Sequence, residues 1–575
     1  MLQDPEIHCP PEEGAEYREG VYRPVLGPLP DAPRGPGFPD PGAGPPFRRQ
    51  DDVPRVPRLR HVIGPSVIAL GMGLGAGEFL LWPNLIAVNG FSIWWLFWVG
   101  VVTQFVVIGE IERWSLVTGE SIFTGMARLT KRPFWPWFFV AATLVSFFWP
   151  GWASQAADFT RATVNALAGH EVIAAWQPLA LLMMGFIWSA LALSRVVYNA
   201  LEKFEIGLVL LFFPLLFVAL LAAGVLPGDV TALLKGAVSI GSAPPALLSG
   251  DQFPTLLIAV AYAGSGGTLL LAQSLWVRDK GFAMSAYQGR IAGIRGQNEP
   301  VGERGFAFDA GDPTARARFR GWMGLAEREL LWTFVLLILL SVVITTLLVA
   351  ATVGTDRLDL AGDLTGLVLA QAEILRVRGG PWLEVVFLLG GALVLFSTQV
   401  GIVDTVTRIS GDVFYDRVGR HRPSMTLKRV FLVLLTIFVL ASMAVIVASW
   451  VGGESVEALQ PNFLVLIAGP FTIASMFLFT AVITILNTRY LPPALRMPRW
   501  KLVGMYWAIV LWGWFTAEQV SRTVLQFGLG LSGDVVTTIA YHPVRAVVYA
   551  LWLGSLAWVV ARTAGPGFRR TGRDG

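Results

Sequence analysis

Few residues of this chain could do chemistry, and in its first apolar run the ionisable residue nearest the middle is Glu78. It follows Gly71–Met72–Gly73–Leu74–Gly75–Ala76–Gly77, four glycines at alternate positions. A carboxylate in hydrocarbon is costly, and by default it marks an ion or proton site. A second glycine cluster, Ala263–Gly264–Ser265–Gly266–Gly267–Thr268, interrupts a later apolar run. Carboxylate, backbone carbonyls and the hydroxyls of Ser265 and Thr268 would form an oxygen-rich set. Such a set suits Mg²⁺ or Mn²⁺ better than a soft metal, and suits Na⁺ or a proton coupled to an organic solute equally well. The candidate ion- or substrate-binding residues are Gly75, Ala76, Glu78, Gly264, Ser265, Gly267 and Thr268, with Glu78 the candidate metal ligand. The plainer reading of Glu78 is an acid at the amino end of a half-helix, stabilised by the helix dipole.

Four more residues are candidates for proton transfer or gating. Asp158 and Asp404 stand late in two apolar runs, at nearly the same offset from each start. Arg161, three residues after Asp158, shares its helix face and could pair with it. Glu110 belongs with Glu112 and Arg113 to an interfacial charge cluster or inner gate. Gln104, Gln273, Ser397, Gln399 and Asn487 could line a path or simply bond a neighbouring helix.

The elements that must position these residues are membrane helices. Hydrophobic residues make up 54% of the 575 and charged residues 15%, with a mean hydropathy of +0.59. Soluble domains carry roughly 25% charged residues. Twelve apolar runs, about the 20 residues needed to cross a bilayer, fall at 61–82, 89–110, 134–158, 174–193, 205–226, 253–276, 329–353, 382–407, 430–451, 462–487, 502–520 and 545–562. Lys and Arg concentrate in alternate connections, which places both termini on the cytoplasmic side. Residues 1–55, rich in Pro and Gly, are expected to form a disordered cytoplasmic tail, because they cannot bury enough apolar area to offset chain entropy. The transmembrane domain then runs over 56–562, with a basic cytoplasmic loop at 277–328 and a short cytoplasmic tail at 563–575.

Several function classes are disfavoured. A single cysteine, Cys9, rules out an internal disulfide and any cysteine metal cluster. The five histidines sit in tails, connections or at span edges, so no cofactor is expected within the bilayer. No nucleotide-binding loop, nucleophile elbow or zinc-protease motif is present, and neither an enzyme nor a nucleic-acid partner is expected. The expected partners are the lipid bilayer of the cell membrane and a small ion or solute, with H⁺ or Na⁺ as coupling ion.

The two glycine clusters lie in spans 1 and 6, and the two aspartates in spans 3 and 8. Each pair is five spans apart. Glycine-interrupted spans at matching places in two halves point to the site of an inverted-repeat transporter. Close helix packing through small residues is the competing explanation.

The same residues carry a resemblance. Gly64–Pro65 through Glu78 looks like the first span of the natural resistance-associated macrophage protein (Nramp) family of divalent-metal transporters. Glu112–Arg113–Trp114–Ser115–Leu116–Val117–Thr118–Gly119–Glu120 resembles that family's Arg-Leu-Gly-x-x-Thr-Gly segment, and Ala156–Ala157–Asp158–Phe159 is similar to its Ala-Thr-Asp-Leu. Arg195 through Leu201–Glu202–Lys203 resembles the connection before its fifth span. The resemblance implies an all-α, LeuT-like five-plus-five inverted repeat with two extra helices. It implies a secondary transporter that moves a cation by alternating access, with a divalent metal among the candidates. An organic-solute carrier on the same fold, or a non-transporting membrane sensor, are the alternatives. The family's metal ligands are missing here. Its Asp-Pro-Gly-Asn motif aligns with Gly75–Ala76–Gly77–Glu78, and its Met-Pro-His motif with Thr268–Leu269–Leu270. The acid three residues after the span 3 aspartate is replaced by Arg161.

Overall fold

The computed structural model describes residues 29–525 and 543–564, apart from 245–246, 248–251, 298, 300–301, 303, 423, 454–458 and 467–468. Residues 1–28 and 565–575, the bulk of the two expected tails, lie outside the described residues.

Without water, each backbone N–H and C=O must be paired inside its own segment, and a helix does this. Nine helices among the described residues are long and apolar enough to cross a membrane. They are span 1 (Pro65–Asn89), span 2 (Phe91–Thr118), span 3 (Phe134–Ala168), span 5 (Val197–Ala223), span 7 (Pro313–Thr352), span 8 (Pro381–Arg417), span 9 (Leu427–Gly452), span 10 (Gly469–Arg489) and span 12 (Pro543–Thr563). The other three expected spans are the shorter apolar helix Gln177–Ala192, an interrupted pair (Phe253–Ala261 and Gln273–Lys280), and Arg499–Thr523. These are spans 4, 6 and 11 below. Span 1 is central, its apolar window wholly buried, whereas span 12 buries 6% of its window and lies at the periphery.

Spans 7 and 8 extend well beyond their expected bounds, starting at Pro313 and ending at Arg417. Polar sequence masked these extensions, because they pack on protein rather than lipid. Several basic residues assigned to connections are interior instead. Arg113, Arg128, Arg278, Lys280, Arg408 and Lys501 are all buried, and each meets a carboxylate.

The two glycine clusters act differently. In span 6 the chain leaves the helix at Tyr262, and Gly264, Gly266 and Gly267 take φ of 117°, 60° and 58°. Side chains rarely adopt such values, which glycine tolerates. A 3-10 turn, Gly267–Ala272, then leads into the second half-helix. Span 1, expected to break near Gly73–Glu78, stays helical. Pro65–Gly73 and Trp82–Asn89 are joined by a π-helical stretch, Leu74–Leu81. Here the glycines serve close approach. A Cβ on Gly71 would overlap the Glu205 carboxylate, one on Gly75 the Thr398 hydroxyl, and one on Gly77 the Tyr262 carbonyl oxygen. Gly73 backs onto Gly264, 3.0 Å from its own Cβ position. The packing explanation thus holds for span 1 and the helix-break explanation for span 6. Gly77→Ala is expected to destabilise the protein by about 1–3 kcal/mol, as overpacking does. Thermal unfolding in detergent measures it, and an unchanged midpoint would contradict this packing.

Residues 29–55 are not a disordered tail. Arg48–Arg49 pairs in parallel with Phe306–Ala307. Phe47 and Val53 are buried, and the Arg128 guanidinium lies 3.9 Å over the Phe47 ring. Trp322 donates from Nε1 to the Pro54 carbonyl at 2.8 Å. Composition alone hid this strap, whose few apolar residues are spaced to dock on helices that the folded chain provides.

Candidate functional site

Glu78 sits in the π-helical stretch of span 1 and is fully buried. The wide turn of span 1 and the break of span 6 meet at this residue. One carboxylate oxygen, Oε1, accepts the Gly264 N–H at 2.9 Å. The other, Oε2, has no hydrogen-bond partner among the described residues. Span 7 supports the same residue, as Thr345 donates to the Glu78 carbonyl at 2.7 Å. Gln104 of span 2 approaches the break from another side. Its Nε2 donates to the Ala261 carbonyl at 3.0 Å, and its Oε1 lies 2.5 Å from where a Gly264 Cβ would be. That Oε1 also lacks a partner among the described residues. Two buried acceptors without donors therefore converge on Gly264. Leaving such groups unpaired costs about 1–3 kcal/mol each, more for a charged one, so the arrangement is suited to a cation or a proton.

The remaining expected ligands are turned elsewhere. The Ser265 hydroxyl donates to the Ala69 carbonyl, and Thr268 accepts from Thr143 at 2.8 Å. Gly267 packs against Thr472 and Phe147, and Gly75 against span 8. Ala76 lies in the π-helical stretch. Among the described residues, no group of three or more His, Cys, Asp or Glu side chains could hold a metal ion.

The proton and gating candidates fall at three separate places. Asp158 pairs with Arg161 at 2.8 Å, and both are partly exposed; the next residue, Phe159, packs edge-on against Phe79 of span 1. Asp404 is buried and held by Arg408 through two bonds of 2.9 Å. Arg408 also pairs with Asp279 of span 6, and the Trp276 N–H reaches Asp404 at 3.2 Å. Glu110 is matched by Arg113 at 2.8 Å, by Lys501 at 3.4 Å and by Asn487 at 3.0 Å. Two cations on one buried carboxylate describe a structural anchor rather than an interfacial charge.

Sequence reasoning passed over the carboxylates that fix the start of span 1. Glu329 of span 7 accepts the backbone N–H groups of Gly64 and Ser66 at 3.1 and 3.2 Å, and the Ser66 hydroxyl. It thereby satisfies donors that a helix start leaves open, with charge of the favourable sign. Lys280 bridges the Ile63 carbonyl at 3.1 Å and Glu202 at 2.7 Å. Gln273 donates to Glu112 at 2.7 Å and to Ser66 at 3.3 Å. Glu205, bonded by Ser397, faces Gly71. The available signal was an acid within or beside an apolar run, as with Glu205 and Glu329.

The arrangement of the helices is that of solved membrane carriers. A crystal structure of a single-residue variant of the Eremococcus coleocola manganese transporter superposes with a TM-score of 0.61 at 12% identity, covering 90% of this chain and 98% of that one. The same transporter in complex with an aromatic bis-isothiourea compound gives 0.57 at 12% identity, over 88% and 95%. MhsT in complex with L-phenylalanine gives 0.50 at 14% identity, over 80% and 97%. The chain has their fold. No family model and no curated protein matches the sequence. The expected all-α, LeuT-like architecture is therefore the one present, and it places spans 1 and 6 side by side at Glu78 and Gly264. At such low identity the likeness concerns the fold, not the ligands at that junction.

Proposed function

We propose that this protein is a secondary membrane transporter that moves a cation by alternating access, with both termini in the cytoplasm and H⁺ or Na⁺ as the driving ion. The observation that carries the reading is the Glu78 carboxylate, buried at the span 6 break with one oxygen on the Gly264 N–H and the other free to take a cation. A single carboxylate balances a single positive charge. A proton or monovalent ion at Glu78 leaves the buried site neutral, whereas a divalent ion leaves a surplus charge that is expensive away from water. Cation release requires the contacts around Gly64–Ser66 to open, since Glu329, Lys280 and Gln273 close that end of span 1. The resemblance of fold to a manganese transporter supports a carrier of ions, and the neighbour holding L-phenylalanine keeps an organic cargo in the test.

Flux into proteoliposomes decides between these cargoes. Mn²⁺, Mg²⁺, Na⁺ and amino acids are offered in turn under an imposed Na⁺ or pH gradient. Uptake of at least one cation driven by a gradient is expected. Gradient-driven uptake of amino acids alone would move the cargo assignment to an organic solute, and absence of flux for every candidate would overturn the transporter reading.

A further inference from the structure

Glu110 and Glu112 stand one residue apart in span 2, and the fold treats them differently. Glu110 has two cations, Arg113 and Lys501. No cation pairs with Glu112 among the described residues, although its side chain is fully buried. The charges that act on it are Lys501 of span 11 and, with the opposite sign, Glu329 and Glu327 of span 7. Lys501 is already engaged by Glu327 at 2.6 Å and by Glu110 at 3.4 Å. Arg113 holds Glu110 through Nε and reaches the Leu495 carbonyl through Nη1 at 3.3 Å. Lys280 of span 6 acts on Glu329 and pairs with Glu202. What Glu112 does meet is the Gln273 amide at the start of the second half-helix of span 6, whose Nε2 donates to Glu112 Oε1 at 2.7 Å. The other carboxylate oxygen, Oε2, has no partner among the described residues, and neither has the amide oxygen of Gln273.

The two atoms without partners are complementary ones. A protonated carboxyl group and a carboxamide can pair through two hydrogen bonds, N–H to the acid's carbonyl oxygen and O–H to the amide oxygen. The first of these is present. One proton on Glu112 Oε2 would supply the second and satisfy both lone acceptors together. Turning the amide over does not remove the need. It would set the Gln273 oxygen 2.7 Å from Glu112 Oε1, a separation that two oxygens hold around a shared hydrogen. A metal cation would need more oxygens than these two offer, and a buried carboxylate without a cation is far costlier than the neutral acid. We propose that Glu112 is a proton-binding site, its proton shared with Gln273 in a closed acid–amide pair that ties span 2 to span 6. Gln273 also donates to Ser66 at 3.3 Å, and the Ser66 hydroxyl donates to Glu329, so the tie extends to spans 1 and 7. When the proton leaves, two acceptors face one another and the tie loses a bond. On the transporter reading, which this consequence rests on, the tie belongs to the contacts around Gly64–Ser66 that must open, and Glu112 is a proton site distinct from Glu78. Proton binding itself does not depend on that reading.

The test is the infrared difference spectrum of the purified full chain in nanodiscs at neutral pH, wild type minus Glu112→Gln. Glutamine keeps the shape of the side chain. Its amide can donate to the Gln273 oxygen and accept from the Gln273 N–H, so both bonds are kept and the wild-type unfolding midpoint is expected. The difference spectrum should show one carboxylic-acid carbonyl band that is lost in the variant and shifts in D₂O. Loss of an ionised carboxylate band instead would overturn the proposal. So would a Glu112→Gln protein that fails to fold, because a neutral isostere should replace a neutral acid. Gln273→Met removes the acceptor, and in that background the Glu112 band should move to the higher frequency of a weakly bonded acid or give way to carboxylate. An unmoved band would show that the proton is not shared with Gln273. Raising the pH gives a second readout. Glutamate in an unfolded chain is ionised above about pH 4.3, so a folded state that holds the proton is stabilised at low pH and loses that stabilisation as the proton leaves. The unfolding midpoint should therefore fall with rising pH more steeply in the wild type than in Glu112→Gln, and equal slopes would count against the site. Neither readout involves flux, so failure here and failure of the transporter reading are separate results.

Discussion

Replacing Glu78 with glutamine is expected to weaken cation affinity at the site by roughly 100-fold or more and to abolish gradient-driven flux. Glutamine keeps the size of the side chain and can still accept the Gly264 N–H. What it removes is the charge. An ion pair at about 4 Å in surroundings of effective dielectric about 20 gains about 4 kcal/mol. Each 1.4 kcal/mol is about a factor of 10 in affinity, which leaves about 100-fold after generous allowance for desolvation. Substrate flux is measured in proteoliposomes beside a pH-sensitive dye. If the driving ion is a proton, substrate exchange without a gradient survives in the variant while proton movement stops. If a metal cation or Na⁺ binds directly, both are lost. Unaltered flux would remove Glu78 from the mechanism. Asp158→Asn is the control, because that residue is held by Arg161 in a partly exposed pair, and surface pairs contribute about 0–1 kcal/mol.

The second large effect is structural. Arg408→Ala should destabilise the protein by about 3–5 kcal/mol, because it strands Asp404 without its cation and leaves Asp279 only Arg278, at 3.6 Å. All three side chains are fully buried, and Arg408 meets both acids. Differential scanning calorimetry of the purified protein would show the loss. Converting both acids to asparagine in the same chain should restore much of it, since a buried charge is more damaging unpaired than absent. A stable Arg408→Ala protein would mean that the two aspartates are not charged in the folded state. The cluster joins span 6 to span 8 below the break, so the same variant also tests whether the second half-helix needs that anchor.

Particular residues show where sequence reasoning succeeds. The glycines of span 6 were legible as a helix break, because three positive φ angles in four residues require glycine. The similar-looking glycines of span 1 were not distinguishable from a break. Their role depends on Glu205, Thr398 and Tyr262, which arrive from three other spans. Arg408 was legible as a basic residue near a span end, and its burial was not, since a helix of 37 residues carries it inward beside Asp279. The strap at 29–55 shows the same limit, with Phe47 packing on Arg128 and Trp114 from distant parts of the chain.

By itself, the sequence determined that this chain lives in a bilayer, because apolar length and scarcity of charge are summed along the chain and need no partner. It also determined that an acid stands in the first span and that the sixth is interrupted, both being local properties. Which groups meet was decided by the tertiary structure alone. Glu78 faces Gly264, the Gln104 amide approaches the same glycine, Ser265 and Thr268 turn to other helices, and the four candidate proton or gating residues fall at three separate places. The reason is physical. A buried polar group takes whichever partner satisfies it at about 3 Å, and for Glu78, Ser265 and Thr268 that partner comes from a segment more than a hundred residues away.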